Sequence, residues 1–109
     1  MGLEVYWLQL AEDKLNDIYT YYRFKAGRKI AQKLVNGIVD TTIDLEKNPE
    51  IGQIETTLKD RKLQFRYLIY KKYKIIYRIN YNSNLIEIAN VFDVRQNPEK
   101  IKETEDNRL

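Results

Sequence analysis

The chain has 109 residues, 43% of them hydrophobic and 32% charged, enough to bury one core and too few for two. It contains no cysteine and no histidine, which excludes disulfides, thiolate ligands and histidine-based zinc sites, and neither a metal nor another cofactor is expected. The formal net charge is +3, yet Lys59 to Arg78 holds eight cations (Lys59, Arg61, Lys62, Arg66, Lys71, Lys72, Lys74 and Arg78) against the one acid Asp60, a local +7 that leaves −4 for the remainder; such a contrast points to a local face for an anionic partner.

The opening segment alternates Leu3, Val5 and Trp7 with Glu4 and Tyr6, the period of a strand with one buried face. It has no basic leader, and its apolar stretch is broken by Glu4 and Gln9, so it does not read as a signal peptide. No apolar run approaches the roughly 20 residues that span a bilayer. A soluble, cytoplasmic protein without membrane contact is expected.

The period then changes. Ala11, Leu15, Ile18 and Tyr22 are spaced for one helix face, with Asp13, Lys14, Asp17 and Thr20 on the other. The pattern breaks near Ala26-Gly27 and restarts with Ile30, Leu34, Ile38 and Leu45, a second and longer helix stopped by Asn48-Pro49. A joint of a few residues makes the two helices an antiparallel hairpin. After a loop from Ile51 to Asp60 the period becomes two. Phe65, Tyr67 and Ile69 form one strand, and Tyr73, Ile75, Tyr77, Ile79 and Tyr81 the buried face of the next. Lys74, Ile76, Arg78 and Asn80 fall on its opposite face, which is expected to be solvent-exposed and cationic. Lys71-Lys72 read as the intervening turn and Asn82-Ser83-Asn84 as the following one. Leu85 to Phe92 is apolar enough for an interior strand. Pro98 closes the strand region, and residues 99–109 read as a charged tail, mobile or weakly helical. The expected domain is therefore 1–98: strand, helical hairpin, then three consecutive antiparallel strands, an α+β fold with the hairpin on one sheet face.

That order resembles the RelE/ParE superfamily of toxins from type II toxin-antitoxin modules. The resemblance is carried by Val5-Tyr6-Trp7 leading into Ala11, Leu15-x-x-Ile18-x-x-Tyr21-Tyr22, Leu45-x-x-x-Pro49-x-x-Gly52, Arg61, the strand Tyr73-Lys74-Ile75-Ile76-Tyr77-Arg78-Ile79, and the ending Val91-Phe92-Asp93-Val94-Arg95-Gln96-Asn97-Pro98. The resemblance implies a toxin neutralised by a cognate antitoxin through an acidic amphipathic segment, in a hetero-oligomer. It also implies one of two mechanisms: RelE-like members cut mRNA on the ribosome, and ParE-like members poison DNA gyrase. The long hairpin, Trp7 and the Pro49–Gly52 bend look more like ParE-like members.

RNA cleavage needs a base, an acid and cations around one phosphate. The nuclease alternative would rest on Lys74, Arg78 and Arg95, with Tyr70 or Tyr81 for proton transfer, but Lys74 lacks the bidentate fork of the arginine that RelE-like nucleases carry there, and Asp93 would repel a phosphate. An inert binding domain is the third reading. The expected antitoxin or target surface comprises Arg61, Lys62, Arg66, Lys71, Lys72, Lys74, Arg78 and Arg95. The plainer reading of those cations is a solvated sheet face with edge lysines. Tyr67, Tyr73, Tyr77 and Tyr81 read as core residues rather than stacking platforms, and Asp93 with Arg95 reads equally as a local ion pair or as a functional pair.

Overall fold

A computed structural model describes residues 2–105 of the chain. A short strand, β1 (Glu4–Trp7), leads into helix α1 (Gln9–Ala26) and helix α2 (Arg28–Thr41), followed by strands β2 (Gln53–Ile54), β3 (Phe65–Tyr70), β4 (Tyr73–Asn80) and β5 (Leu85–Asp93). The strands form one sheet in the order β1-β5-β4-β3-β2, with β1 parallel to β5 and every other pair antiparallel. The parallel pair is possible because the whole helical hairpin lies between its strands in sequence and supplies the crossover. β5, bonded on both sides, is interior as its apolar run implies. The strand β2 has two residues and no periodicity to reveal it.

The hairpin turns on one residue. Gly27 has φ 101° and donates its N–H to the carbonyls of Tyr22 and Arg23, both at 3.1 Å, closing α1 while α2 begins at the next position. Only glycine enters that backbone region without a Cβ penalty. α2 is shorter than the spacing of its apolar residues suggests: it ends at Thr41, and Leu45 reaches the core from a separate 3-10 turn, Ile43–Glu46. Its buried stripe also differs, since Ala31 is fully buried whereas Ile30 is 54% exposed. A small residue is needed where two helices joined so tightly approach each other.

Between the hairpin and the sheet lies the larger core, with Ala11, Ile38, Leu45, Tyr73, Ile75, Tyr77, Ile86, Ile88 and Val91 buried and Val5, Trp7, Leu15 and Ile18 packed at its margin. Each large side chain sealed there contributes about 1.5–3 kcal/mol relative to exposure. Tyr77 is the pin of this layer. Its hydroxyl accepts from Gly52 N–H at 2.9 Å and donates to the Pro49 carbonyl at 2.7 Å, so the Pro49–Gly52 bend is tied to the middle strand. A Cβ at Gly52 would sit 2.6 Å from that hydroxyl and 2.8 Å from the Tyr67 carbonyl, which is why glycine occupies the site. Tyr81, expected in the same row, is instead 61% exposed beyond the end of β4.

The other face of the sheet is not solvated, contrary to the alternating pattern read from β4. Ile76, Phe65, Phe92 and Ala89 on that face are covered by Leu58, from the 3-10 turn Thr56–Leu58, and by Ile101, from the 3-10 helix Pro98–Glu103. A bulge between Ile76/Tyr77, where Ile76 pairs with Asn90 and Tyr77 with Ile88, leaves Ala89 as the extra residue of β5 and lets Asn90 turn toward the C-terminal segment. Asn90 Nδ2 donates to Thr104 Oγ1 at 2.9 Å and to Glu103 Oε2 at 3.2 Å, and Lys14 Nζ reaches Glu103 Oε2 at 2.6 Å. Residues 99–105 therefore belong to the folded layer rather than to a loose tail, and Lys14, placed by periodicity on the solvent side of α1, is part of the clasp. The remainder of the expected tail, residues 106–109, lies outside the described residues.

Candidate functional site

The eight cations expected on one binding face do not share a surface. Arg78 is 3% exposed and its Nε lies 2.6 Å from Glu87 Oε1, with its guanidinium over the Phe65 ring. Lys74 Nζ lies 2.7 Å from Oε1 of Glu55, itself 3% exposed, and 4.1 Å from the centroid of Tyr67. Both are consumed by the second core layer, where an unpaired charge would cost several kcal/mol. Arg61 donates to the carbonyls of Thr104 and Lys102, holding down the C-terminal segment, and Arg66 donates to the carbonyls of Glu50 and Gly52, holding the loop before β2. The exposed basic face predicted at Lys74 and Arg78 is thus a set of structural ion pairs, and Lys62 stands exposed and apart. The signal for one pair was in the sequence, since Glu87 lies nine residues from Arg78 across the β4–β5 turn, whereas Glu55 reaches Lys74 from 19 residues away on a loop with no periodicity.

Lys71, Lys72 and Arg95 behave differently. The β3–β4 turn forces Lys71 to φ 52° and swings Lys72 toward α1, where Nζ donates to the Tyr22 hydroxyl and lies 5.0 Å from the Tyr22 ring centroid. Tyr73 stands next to them, and Arg95 completes the group from the end of β5. A cleft of about 430 Å³ opens here, its aromatic wall formed by Tyr21, Tyr22 and Tyr73 and its charges balanced, with Asp17, Asp93 and Glu103 against Lys14, Arg95 and Lys100. Arg95 is clamped: it bonds both carboxylate oxygens of Asp93, Nε to Oδ1 at 3.1 Å and a terminal nitrogen to Oδ2 at 2.9 Å, while its own N–H takes Oδ1 at 2.9 Å. Those bonds hold the Asp93 carboxyl below the usual carboxylate range. The local ion pair anticipated between them is present, with the guanidinium at the surface.

The two phenols are pushed apart. The Lys72 ammonium, bonded to the Tyr22 oxygen, holds that phenol below its ordinary value, with a smaller contribution from Tyr73. Burial, followed by the hydrogen bond toward Tyr22, drives Tyr73 in the opposite direction. Tyr70 and Tyr81, the phenols weighed for proton transfer, are not in this cleft. Spacing places Tyr22 on the apolar face of α1, where it marks a packing residue, and its further role depends on a lysine 50 positions away that no local spacing reveals.

A second groove, of about 500 Å³, adjoins the first across Tyr22 and Tyr73 and continues between α2 and the β3–β4 turn. Ile30, Leu34 and Tyr70 give it an apolar floor, and its charged residues are Lys33, Lys71 and Lys72, with no acid. The Tyr70 ring crosses α2 where a Cβ at Gly37 would overlap it. The exposure of Ile30 is explained here: it lines a groove rather than the core.

The nuclease candidates do not converge. Lys74 and Arg78 pack on the sheet face covered by the C-terminal segment, whereas Arg95 lines the cleft on the helical side, so no single phosphate meets all three.

The family model described as the ParE toxin of the type II toxin-antitoxin system parDE matches residues 5–98. No curated relative matches the chain. Among solved structures, the fold is similar to one described as the chromosomal ParDE TA system from P. aeruginosa, with a TM-score of 0.69 and 21% identity over 84% of this chain and 96% of that one. At that identity the likeness concerns the fold.

Proposed function

We infer function from a plain premise: this chain belongs to the ParE toxin family of type II toxin-antitoxin systems, and its partner is accordingly a cognate antitoxin. We propose that it arrests growth by binding DNA gyrase and holding it on DNA, acting as a binder rather than an enzyme. The observation that supports this reading is the separation of Lys74 and Arg78 from Arg95. Cleavage of a phosphodiester needs its cations and its proton-transfer groups around one phosphorus, and here two of the three candidate cations are neutralised by carboxylates on another face.

The antitoxin is proposed to occupy the groove between α2 and the β3–β4 turn, entering it past Tyr22 from the charge-balanced cleft. Of the cations expected to receive it, Lys71, Lys72 and Arg95 border that surface, and Lys33 adds a fourth that sequence reasoning passed over. An amphipathic acidic segment suits an apolar floor rimmed by ammonium groups: buried side chains supply affinity, and charge supplies rate and register. Arg61, Arg66, Lys74 and Arg78 support the shape of the surface from within the fold, and Lys62 lies apart from it.

One feature favours the RelE-like alternative. Tyr22, held low by Lys72 beside Arg95 in a cleft, is the one described place where a phenol is tuned toward ionisation near cations. Induction of the chain with and without its antitoxin gene separates the readings. Gyrase-linked DNA breaks with translation initially intact, relieved by the antitoxin, are expected; rapid translational arrest with codon-phased mRNA cuts that Tyr22→Phe abolishes would replace the binder with a nuclease.

A further inference from the structure

The distal half of the helical hairpin carries a run of exposed cations uninterrupted by any acid. From Ile18 to Val39 there is no acidic residue, and Arg23, Lys25, Arg28, Lys29 and Lys33 make the segment +5 in a chain of +3. Every residue from Arg23 to Ile30 is exposed. Among the described residues none of the five cations makes an ion pair. The Phe24 ring stands at 93% exposure at this tip, with Tyr21 and Ile30 at 54% each. A large aromatic side chain left wholly in water between unpaired cations contributes nothing to the fold that carries it.

We propose that this tip is a sequence-independent contact for duplex DNA, with the cations on phosphates and Phe24 against the groove as an apolar wedge. Charge complementarity selects the partner: Arg23, Lys25, Arg28 and Lys29, four exposed cations outside the antitoxin groove with no ion pair and no intervening acid among the described residues, match a phosphate backbone. A duplex is selected over a single strand because Arg23, Phe24, Lys25 and Arg28 line none of the described clefts, whereas single strands are bound along channels where successive bases stack, and apolar wedges are how minor-groove proteins engage duplex steps. A bilayer would attract the same charge, but Phe24 and Ile30 offer little surface for insertion. The proposal goes beyond the choice of gyrase as target and is tested without gyrase.

The test is fluorescence anisotropy of a labelled 20-base-pair duplex titrated with the purified chain between 50 and 200 mM KCl, with thermal unfolding of each variant as the fold control. If about four phosphates are neutralised, affinity should fall roughly 150-fold across that range, a log–log slope near −3.6. Arg28→Ala with Lys29→Ala should make the slope shallower by about 1.8, and Phe24→Ala should weaken binding with the slope unchanged. Lys59→Ala with Lys62→Ala, two exposed cations elsewhere, should leave both unaltered. The inference is overturned by absence of binding at 50 mM KCl, by equal losses in the tip and control variants, by tighter binding to the single strand of equal length, or by tip-dependent binding confined to vesicles containing anionic lipid. Because the mixture holds no gyrase, these outcomes are independent of whether gyrase is the target.

Discussion

Individual side chains decide which cations of this chain are available to a partner. Lys74 lies on β4 in the alternation that ordinarily marks a solvent face, but Glu55 meets it from the loop before β3, and Glu87 meets Arg78 from β5. Replacing Lys74 with Ala would strand the buried Glu55 carboxylate, and a loss of roughly 2–4 kcal/mol is expected in urea unfolding; a loss below about 0.5 kcal/mol would show the pair to be ornamental. Reversing both Lys74 and Arg78 to Glu should unfold the domain, so loss of toxicity in that double variant would not report on binding. Tyr77→Phe removes the hydroxyl that bonds Gly52 and Pro49, and about 1–2 kcal/mol should disappear with it. Tyr22 offers a spectroscopic check. Its folded pKa is lowered by Lys72, so in an ultraviolet titration the first of the nine tyrosines should ionise below pH 10, and Lys72→Met should return it to the ordinary range. No change on that substitution would remove the proposed tuning.

At the level of elements, periodicity discloses what neighbouring side chains set and hides what distant pairing sets. The strand at Val5, the hairpin broken at Gly27, the β4 alternation and the interior β5 all follow from side-chain spacing within a few residues. The length of α2, the two-residue β2 and the covered second face do not, because each is set by contacts from elsewhere in the chain. Ile101 shows the difference. As the sole internal apolar residue of a charged segment it carried no period, yet it is 2% exposed against Ile76 and Phe92. Ile101→Ala should cost about 2–4 kcal/mol in chemical unfolding; a dispensable tail would show no change. The Glu103 carboxylate that closes this segment is held low by Lys14 and Asn90 against the opposing effect of burial. A carboxyl lowered in the folded state stabilises above its unfolded pKa and loses that contribution as pH falls through the folded one. Protection factors of the amides in residues 99–105, exchange rates taken relative to the intrinsic rate at each pH, should therefore fall as pH drops below about 4.3, and Glu103→Gln should flatten the dependence.

Taken whole, the molecule is electrically polarised, but along the helical hairpin rather than across the sheet. Composition disclosed the imbalance between a basic stretch and an acidic remainder; burial determined which charges face water. The row at Lys74 and Arg78 was absorbed by a second core layer, whereas Lys33, Lys71 and Lys72 rim an apolar groove and the hairpin tip carries its own cations. Both surfaces suit recognition of anionic macromolecules, and neither assembles the three nuclease candidates. In a family of toxins held in check by antitoxins, that arrangement favours arrest by association. The most direct measurement mixes the purified chain with gyrase, ATP and supercoiled plasmid, followed by detergent and protease treatment, beside a ribosome translating a defined mRNA. Accumulation of linear, gyrase-linked DNA that the antitoxin suppresses, with the mRNA intact, is the predicted result; intact plasmid together with codon-phased mRNA cleavage would contradict the account.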